Sequence, residues 1–526
     1  MGMFDALRGW GQGGSAAASA GDALPAARAD GGSHQETRWR GASRALRSLL
    51  TWSPGIGSAT SDLPREEQRT LRARSRDAMR SHMIGRAALL RCRTNVVGTG
   101  LMCRPNVDGD ALGLNAEQAE ALNQQLRGYF EAWAEEPQEC DYEGTFDFYG
   151  LQGLTLLSAM MSGDVFPLSP IDLRPGGAFE LKCQLVEADR VSNPSDAPNT
   201  AALHDGIVLS NGVPVGCWIR DTHPGDTKGT AQPKWAYFAF YGASTGRRRV
   251  LQVWNDKERP GQLRGAPYLA PILEPLKQLD RYGGAELTAA VLSAMLTVFI
   301  ERDKELAEAD GDNASPLGDA DAAGNVKLGA GAVVDLLPGE KANIANPARP
   351  NANFDPFFVA IVKQIGAALE LPLDELLLHY QSSYSAARAA MLQAWRFYMT
   401  RRWSLTQQFC QPFYGLLVDE LVATGRVSLP GYADPMRRRA YTRAIWIGPA
   451  RGAMDEFKEA QAAGKRIEIG VSNEAIECAA MLGEDWRGVY AQRLQEVNRR
   501  KADGTYQLPK SAVQVDPAPQ PQDPDQ

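Results

Sequence analysis

The amino-acid sequence predicts a mainly helical α+β protein in which a β-rich segment is inserted among the helices. Apolar residues recur at helical spacing over residues 64–97, 115–135 and 147–163. Between residues 166 and 253 the pattern changes to short apolar or alternating runs separated by Gly, Pro, Asn and Asp, which indicates several strands joined by turns. Long apolar helical segments return after residue 258.

Size and charge exclude several classes of protein. At 526 residues and 44% apolar content, the chain is long enough for about two to four domains with substantial cores. Its formal net charge of −7 excludes a protein that wraps nucleic acid over its whole surface, because neutralising phosphates requires a dense basic surface. Any contact with DNA is therefore expected to be local or weak.

No cofactor, metal or membrane is expected. The seven cysteines are dispersed, with no CxxC pair and no histidine at metal-ligand spacing, so they are predicted to be reduced thiols. The N-terminus lacks the charged start and continuous apolar core of a secretory signal. The most membrane-like run, residues 285–300, contains Glu286 and is shorter than the roughly 20 residues that cross a bilayer. It is predicted to be a helix buried in protein.

The first part of the chain divides into an arm and an arginine-rich helix. Residues 1–60 are rich in Ala, Gly, Ser and Arg and are expected to form a flexible arm. Residues 64–97 begin with Pro and acids, as a helix start does, and carry nine arginines. These arginines can line a solvated helix face or a subunit interface, or they can bind phosphate. Three acidic residues interrupt the basic run and favour the first interpretation.

Two long apolar helices flank a small insert in the middle of the chain. They are predicted over residues 275–302 and 353–370, with Gly283 and Gly284 weakening or kinking the first. The insert, residues 303–352, begins with an acidic loop and ends in two short strands, GAVVDLL and KANIA. Leaving both apolar helices exposed in a monomer would cost on the order of tens of kcal/mol. We therefore expect them to pack laterally against other copies of the chain.

A polar loop and another long helix come next. The stretch YQSSYSAARAAMLQAWRFYMTRRW, which starts at Tyr380, places three serines and two tyrosines at the start of a helix predicted over residues 384–421. This helix is apolar nearly all round with arginines interspersed, as expected of a helix packed between other elements or subunits. Three further helices are predicted near the C-terminus, with a break at Gly464 and a capping serine at Ser472. The tail after Gly504 cannot pack a core.

Motifs of common enzymes are absent from the sequence. There is no GxxxxGK[ST] loop, HExxH, zinc-type cluster or GxSxG elbow, so a non-enzymatic protein is predicted. One alternative is a serine hydrolase that uses the loop at residues 380–385 beside His379, although no acid is placed to orient this histidine. Another is a nucleic-acid-binding module that uses the helix from Arg65 to Arg93. Asp189, in the run LVEADRV, is interpreted as a salt-bridge or turn residue rather than a catalytic acid.

Six segments of the chain resemble, in order, the lambda family of phage portal proteins. They are RARSRDAMRSHMIGRAALLRCRTNVVGTGL (72–101), QLVEADRV (184–191), ERPGQLRGAPYLAPIL (258–273), LPGE (337–340), SSYSAARAAMLQAWRFY (382–398) and, near the C-terminus, DEFKEAQAAGKRIEIGVSNE. Each motif alone is moderately specific. Together they cover residues 60–500 in one order, which strongly favours membership.

The resemblance implies a portal fold that assembles as a ring, typically of twelve subunits, at one vertex of a capsid. Double-stranded DNA would pass through the central channel of this head–tail connector, driven by a separate terminase, and would later be ejected. The implied partners are other copies of the chain, DNA in transit, the terminase large subunit, a major capsid or scaffold protein, and a head-completion or tail connector protein. The implied location is the virion, after assembly in the cytoplasm of the host bacterium.

The resemblance also assigns regions and residues. The expected regions are a flexible arm (1–60), a wing (61–274), a first stem helix (275–302), a clip (303–352), a second stem helix (353–370), a channel loop (371–385), a long wing helix with its return (386–450), crown-like helices (451–505) and a disordered tail (506–526). The loop residues expected to touch DNA are Tyr380, Gln381, Ser382, Ser383 and Ser385. The wing helix is expected to meet other subunits through Arg388, Trp395, Arg396, Arg401 and Arg402. The residues assigned to the stem are Leu287, Val291, Met295, Phe299, Phe358, Val362 and Ile365. A loop without concentrated positive charge can touch moving DNA without gripping it.

Overall fold

The structure is a computed structural model that describes residues 47–49, 51–52, 54–226, 232–294, 298–302, 340–344, 353–380, 383–453 and 455–506. The chain divides into two compact units, Met1–Gly57 and Ser58–Gln526. In the first unit, the described residues include one short 3-10 helix, Arg47–Leu49. Most of the expected arm, and the expected tail from residue 507 onward, lie outside the described residues.

The second unit begins with two helices where one continuous helical stretch was predicted. Helix α1 spans Arg65–Ser81 and helix α2 spans Met83–Val96. The chain is interrupted at His82, whose extended backbone (φ −102°, ψ 120°) cannot continue an α-helix. Glu66 and Glu67 lie in the first turn of α1, where negative charge favours the helix dipole.

A strand and two helices follow and supply much of the core. These are β1 (Met102–Pro105), α3 (Ala116–Ala134) and α4 (Phe148–Ser162). The Asn115 side chain accepts a hydrogen bond from the Gln118 backbone, and the Gln118 side chain accepts one in return, so a capping box starts α3. Asp147 caps α4 in the same way, by accepting from Gly150.

The predicted β-rich segment forms two antiparallel sheets. Its strands are β2 (Asp164–Leu168), β3 (Gln184–Glu187), β4 (Leu203–His204), β5 (Ile207–Ser210), β6 (Val213–Arg220), β7 (Trp235–Ala239) and β8 (Val253–Trp254). One sheet has the order β3-β2-β8 and the other is the meander β4-β5-β6-β7. The position of the strands therefore matches the change of sequence period.

The central part of the chain confirms one predicted helix and corrects the other. Its elements are α5 (Leu273–Ala294), β9 (Val298–Arg302), β10 (Glu340–Ile344) and α6 (Phe354–Ala368). The prediction of helix through Arg302 is wrong, because residues 298–302 pair with β10 as an antiparallel strand, Val298 opposite Ile344. Helix α5 continues through Gly283 and Gly284. The acidic loop and the GAVVDLL strand lie outside the described residues.

After α6 the chain forms a short helix and then the long helical stretch that was predicted. These are α7 (Leu373–Leu377), α8 (Tyr384–Leu405), a π-helical turn (Thr406–Cys410) and α9 (Gln411–Ala423). The π-turn keeps helical backbone angles at both of its ends, so α8 and α9 form one continuous rod with a local widening.

The C-terminal elements are α10 (Pro435–Tyr441), β11 (Ala444–Ile447), α11 (Glu456–Glu468), α12 (Glu474–Met481) and α13 (Trp486–Ala502). Strand β11 pairs antiparallel with β1. Two predictions are wrong in detail: α11 passes through Gly464, and Asn473, rather than Ser472, caps α12 by accepting from Ile476. Gly470, at φ +78°, provides the reversal after α11 that was assigned to Gly464.

The buried apolar residues form two cores. The larger joins helices from both halves of the chain and contains closely packed, mutually tilted aromatic rings such as those of Trp133, Phe148 and Phe413. The smaller lies within the β segment and includes Phe166 and Ile219. Within the described residues, no helix combines the length and apolar content that crossing a bilayer requires.

Candidate functional site

Helices α5 and α6 pack together at one end, and this end belongs to the core of the subunit itself. Leu276 and Leu279 of α5 are buried, as are Val362 and Ile365 of α6. Val362 and Ile365, which the sequence assigned to the stem, are therefore covered by their own chain. Tyr282 continues the contact between the helices, with its ring centroid 5.3 Å from that of Phe354.

Farther along the pair, apolar side chains face solvent. Leu287 is 68% exposed and Val291 is 48% exposed, and their four-residue spacing puts both on one face of α5. On α6, Phe357 is 52% exposed, whereas Phe358 is partly buried. The side chains of the other two expected stem residues, Met295 and Phe299, lie outside the described residues. The exposed apolar residues Leu287, Val291 and Phe357 are called the stem face below.

Tight turns connect α6 to the predicted channel loop. The amide of Leu371 donates to the carbonyl of Gly366 at 2.9 Å, and a Cβ on Gly366 would lie 2.6 Å from the carbonyl oxygen of Leu371. Glu370 and Leu378 both have positive φ, of 57° and 54°. Non-glycine residues rarely adopt this conformation, so the chain direction at both ends of α7 is set by the surrounding packing.

The predicted loop residues that the structure describes are exposed and uncharged. Tyr380 is 63% exposed, and Ser383 and Ser385 are also exposed, with their hydroxyl oxygens 3.3 Å apart. Gln381 and Ser382 lie outside the described residues. Whether the loop touches DNA stays a prediction.

The five wing-helix residues fall into two groups. Arg388 and Arg396 are exposed, and Trp395 is half-buried, so these three positions can still face another subunit. Arg401 and Arg402 make their described contacts within the subunit, and their role at a subunit interface stays a prediction. Arg401 donates to Asn255 and pairs with Asp256 at 3.2 Å, while its guanidinium lies 5.3 Å from the centroid of the Tyr268 ring.

Arg402 is 6% exposed and bonds only to backbone oxygens of its own chain in the contacts that the structure describes. Its guanidinium donates to the carbonyls of Asn95, Val96 and Pro449, each at 3.0 Å. Burial lowers the pKa of Arg402 to about 10, so it stays charged at neutral pH. The charge holds the end of α2 and the segment after β11 against α8.

A buried ionic cluster, which the sequence analysis missed, joins α1 to the β segment. The Asp164 carboxylate is fully buried and accepts from Arg72 at 3.1 Å and from Arg264 at 2.8 and 3.1 Å. It also accepts from the Gly265 amide at 3.2 Å and the Gln252 side chain at 3.1 Å. Burial opposes ionisation of Asp164, but the charges of Arg264 and Arg72 outweigh it and hold its pKa below the ordinary value.

The same guanidinium groups satisfy backbone carbonyls around Asp164. Arg264 donates to the carbonyls of Val191, Asp205 and Ala188 at 2.6–2.8 Å. Arg72 donates to the Ser162 carbonyl at 2.8 Å. The sequence carried one signal of this cluster: Arg264, in RGAP, is an isolated arginine in a proline-rich apolar stretch and has no neighbouring acid.

Other arginines of α1 also pair with the β segment. Arg65 contacts Asp205 at 3.0 Å, Arg69 contacts Asp196 at 2.6 Å, and Arg76 pairs with Asp189. Asp189 therefore has the salt-bridge role that the sequence predicted. With Arg72 buried as well, much of the arginine run is used inside the subunit and is unavailable to phosphate.

The hydrolase alternative gains no support from the geometry. His379 is exposed, and among the described residues the histidines that lie near an acid are His82, His204 and His223. Within the same residues, no group of three His, Cys, Asp or Glu side chains is arranged to hold a metal ion. All seven cysteines are free, in agreement with the prediction of thiols.

The structure thus combines a helix pair that carries exposed apolar side chains with a following loop whose described residues are polar and uncharged. The family model described as "Phage portal protein, lambda family" matches residues 46–402, which is more than half of the chain. The chain therefore belongs to the lambda family of phage portal proteins. Its function is that of a phage portal at the capsid vertex, and neither the hydrolase nor the DNA-binding alternative is supported.

Curated relatives agree with this assignment. The chain is 28% identical over 481 residues to the portal protein of Escherichia phage N15, covering 87% of this chain and 89% of the relative. It is 25% identical over 480 residues to portal protein B of Escherichia phage lambda, covering 87% and 88%. The probable portal protein of Halomonas phage phiHAP-1 is 24% identical over 449 residues, covering 84% and 82%.

Solved structures give weaker likenesses. The neck of a native GTA particle computed with C12 symmetry has a TM-score of 0.39 at 12% identity, covering 77% of this chain and 93% of that chain. The neck of an empty GTA particle computed with C6 symmetry has the same TM-score and identity, covering 84% and 99%. The family assignment accordingly rests on the sequence matches.

Proposed function

We propose that copies of this chain form a closed ring, typically of twelve subunits, whose α5 and α6 helices form the wall of a DNA channel. In this ring each stem face packs against the neighbouring subunit, and the buried end of the α5–α6 pair fixes the helices to the body of the wing. A head-to-tail contact between identical subunits forms a closed ring when the rotation from one subunit to the next is a whole-number fraction of a full turn.

The stem face is the observation that carries the proposal. Leu287, Val291 and Phe357 are exposed by 68%, 48% and 52%, so together they leave the equivalent of between one and two large side chains in water. Burying them is worth about 3–5 kcal/mol for each subunit, at about 1.5–3 kcal/mol for each fully buried side chain. Exposed apolar patches of this kind on a folded subunit mark interaction surfaces.

The loop after α6 supplies the second part of the proposal. Its described residues, Tyr380, Ser383 and Ser385, are exposed and carry no charge. We propose that this loop, with Gln381 and Ser382, touches double-stranded DNA as the DNA slides. Uncharged side chains do not form the ion pairs with phosphate that give tight, salt-dependent binding, so the loop can contact the DNA without opposing its movement.

The partners of the ring follow the same proposal. The ring serves as a docking platform for the terminase large subunit, for the major capsid or scaffold protein, and for a head-completion or tail connector protein. The ring is assembled in the cytoplasm of the host bacterium and stays in the virion at the portal vertex. Membership of the portal family supports these assignments.

The test changes the stem face and measures the mass of the full-length protein. Replacing Leu287 and Val291 with glutamine together removes apolar contact without adding charge, so the ring is expected to give way to monomers at micromolar concentration in mass photometry. The matched control is Val213→Gln, because Val213 is 61% exposed on strand β6 and lies on a different surface. A ring that survives the double substitution, or an unmodified chain that is monomeric, would overturn the proposal.

A further inference from the structure

An arginine-lined cleft lies at the junction of the β segment, α9, α10 and β11. Its volume is about 510 Å³, within the range of pockets that hold small ligands or short peptide segments. The residues that line it include the four arginines Arg248, Arg438, Arg439 and Arg443 and no acidic residue. None of the roles derived above uses this cleft.

Two of the four arginines are already neutralised inside the chain. Arg438 forms a two-pronged pair with Asp419, and Arg443 contacts Asp108 at 2.6 Å. Both partners are carboxylates, and neither of them is among the residues that line the cleft. The guanidinium groups in this wall therefore bind carboxylates.

The other two arginines have no acidic partner among the described residues. Arg439 is exposed on α10. Arg248 lies over the ring of Tyr241, with its guanidinium carbon 5.6 Å from the centroid, and its buried Nε makes no hydrogen bond to the residues that the structure describes. A buried donor without a partner is uncommon in folded proteins, so Arg248 keeps hydrogen-bonding capacity beside the cleft.

The backbone beside the cleft is also unusual. The π-helical turn Thr406–Cys410 ends where α9 begins, and Gln407 and Gln411 on either side of this junction line the cleft. A π-turn widens a helix and is common at functional sites. Here it shapes the wall that faces Arg248 and Arg439.

We propose that this cleft binds a short acidic peptide segment of a partner protein, with Arg248 and Arg439 taking its carboxylates. Guanidinium groups match carboxylates in paired hydrogen bonds, as Arg438 and Asp419 do in the same wall. Pro412, Leu416 and Ile445 add apolar surface beside the arginines. The ligand is therefore a segment in which acidic and apolar side chains alternate.

The observations favour a peptide over a nucleic acid. A DNA duplex is a stiff rod, and only its outer phosphates could reach into a concave site of about 510 Å³. The net charge of −7 also opposes the approach of a polyanion more strongly than that of a short segment. The apolar part of the wall has no role in binding bare phosphate.

The test measures binding of a short fluorescein-labelled peptide of alternating glutamate and leucine to the full-length protein by fluorescence anisotropy. Replacing Arg248 and Arg439 with glutamine together is expected to weaken peptide binding by about tenfold or more, because two charge-assisted contacts are lost. The matched control replaces Arg74 and Arg499 with glutamine. It also removes two positive charges, but from exposed positions on α1 and α13 outside the cleft. The control is expected to bind the peptide as the unmodified chain does.

Several results would overturn the proposal. Equal peptide binding by the cleft variant and the control would show that the cleft is not the site. A labelled DNA duplex that loses binding in the cleft variant, while the peptide binds neither protein, would assign the cleft to nucleic acid. A cleft variant that stops assembling, with no peptide binding by the unmodified chain, would assign it to a second copy. If the double variant does not fold, peptide binding is measured with the single variant Arg439→Gln, at an exposed position. Peptide binding equal to that of the unmodified chain would then overturn the proposal.

Discussion

Replacing Asp164 with asparagine tests the buried ionic cluster that joins α1 to the β segment. The substitution keeps the shape of the side chain but removes the negative charge between Arg72 and Arg264. Both guanidinium groups are almost fully buried, with side-chain exposures of 2% and 4%. Arg264 would lose the carboxylate that it contacts at 2.8 Å, and Arg72 would keep only the more distant Asp189, at 3.7 Å.

The expected loss follows from the burial of these groups. Removing one partner of a buried ion pair costs about 3–5 kcal/mol, because the remaining charge stays desolvated. Since Asp164 is shared by two arginines and also accepts from the Gly265 amide, the upper part of this range is expected. The cluster lies in the unit Ser58–Gln526, for which an unfolding entropy of about 2.1 cal/mol/K per residue gives a shift of roughly 1 °C per kcal/mol, so the melting temperature should fall by about 3–5 °C.

The assay is thermal unfolding followed by tryptophan fluorescence, with Asp77→Asn as the matched control. The Asp77 side chain is 56% exposed and lies 3.9 Å from Arg80, so this substitution should change stability by no more than about 0.5 kcal/mol. If the Asp164 variant melts together with the Asp77 variant, the cluster contributes no stability and the reasoning is refuted.

Three further predictions concern the same region and the thiols. Gly265→Ala should lower stability by about 3 kcal/mol, seen as an early melting transition, because a Cβ at this position would overlap the backbone of Gly163; unchanged melting would contradict the close approach. The pKa values of Asp164 and Asp189 are held below their ordinary 3.8, so the stability that these two carboxylates contribute is complete above about pH 5. This stability is lost as the pH falls through 3.8 toward the pKa values of the folded protein. The Asp164→Asn variant should therefore lose less stability on acidification than the unmodified chain. Of the seven cysteines, Cys478 alone is not fully buried, so a thiol reagent such as DTNB should titrate about one thiol before unfolding and all seven after it; rapid reaction of several thiols in the native protein would contradict the burial.

Sequence patterns predicted the elements whose signals are local. The change from helical to alternating period located the β segment, and the asparagine start of the helix at residue 353 matches the N-cap of α6. The continuous apolar pattern from Tyr384 likewise predicted the rod formed by α8 and α9. In each case neighbouring residues in the chain determine the structure.

The errors arose where distant residues decide the outcome. Residues 298–302 are apolar enough to continue α5, but pairing with residues 340–344 makes them a strand. The contacts of Arg401 and Arg402 within the subunit were likewise not predicted, because the segments that they bind, near Asn255 and Asn95, are far away in sequence. Asp164 and Arg264 are separated by 100 residues, so no local pattern could pair them.

The sequence predicted that the two apolar helices need partners, but it did not predict which of their residues stay exposed on the folded subunit. Both helices were expected to need a partner over their whole length, whereas the chain covers Val362 and Ile365 itself and leaves Leu287 and Val291 exposed. Apolar periodicity does not distinguish burial within a subunit from burial between subunits, since the free energy of removing apolar surface from water is the same in both. Only the fold of one subunit separates the two cases.

The most direct test of the central proposal is a cryo-EM reconstruction of the purified full-length protein. The proposed assembly predicts a closed ring with a central channel, in which Leu287, Val291 and Phe357 of each subunit are buried against the next subunit. A particle that is monomeric at micromolar concentration, or a ring in which these three side chains stay in solvent, would contradict it.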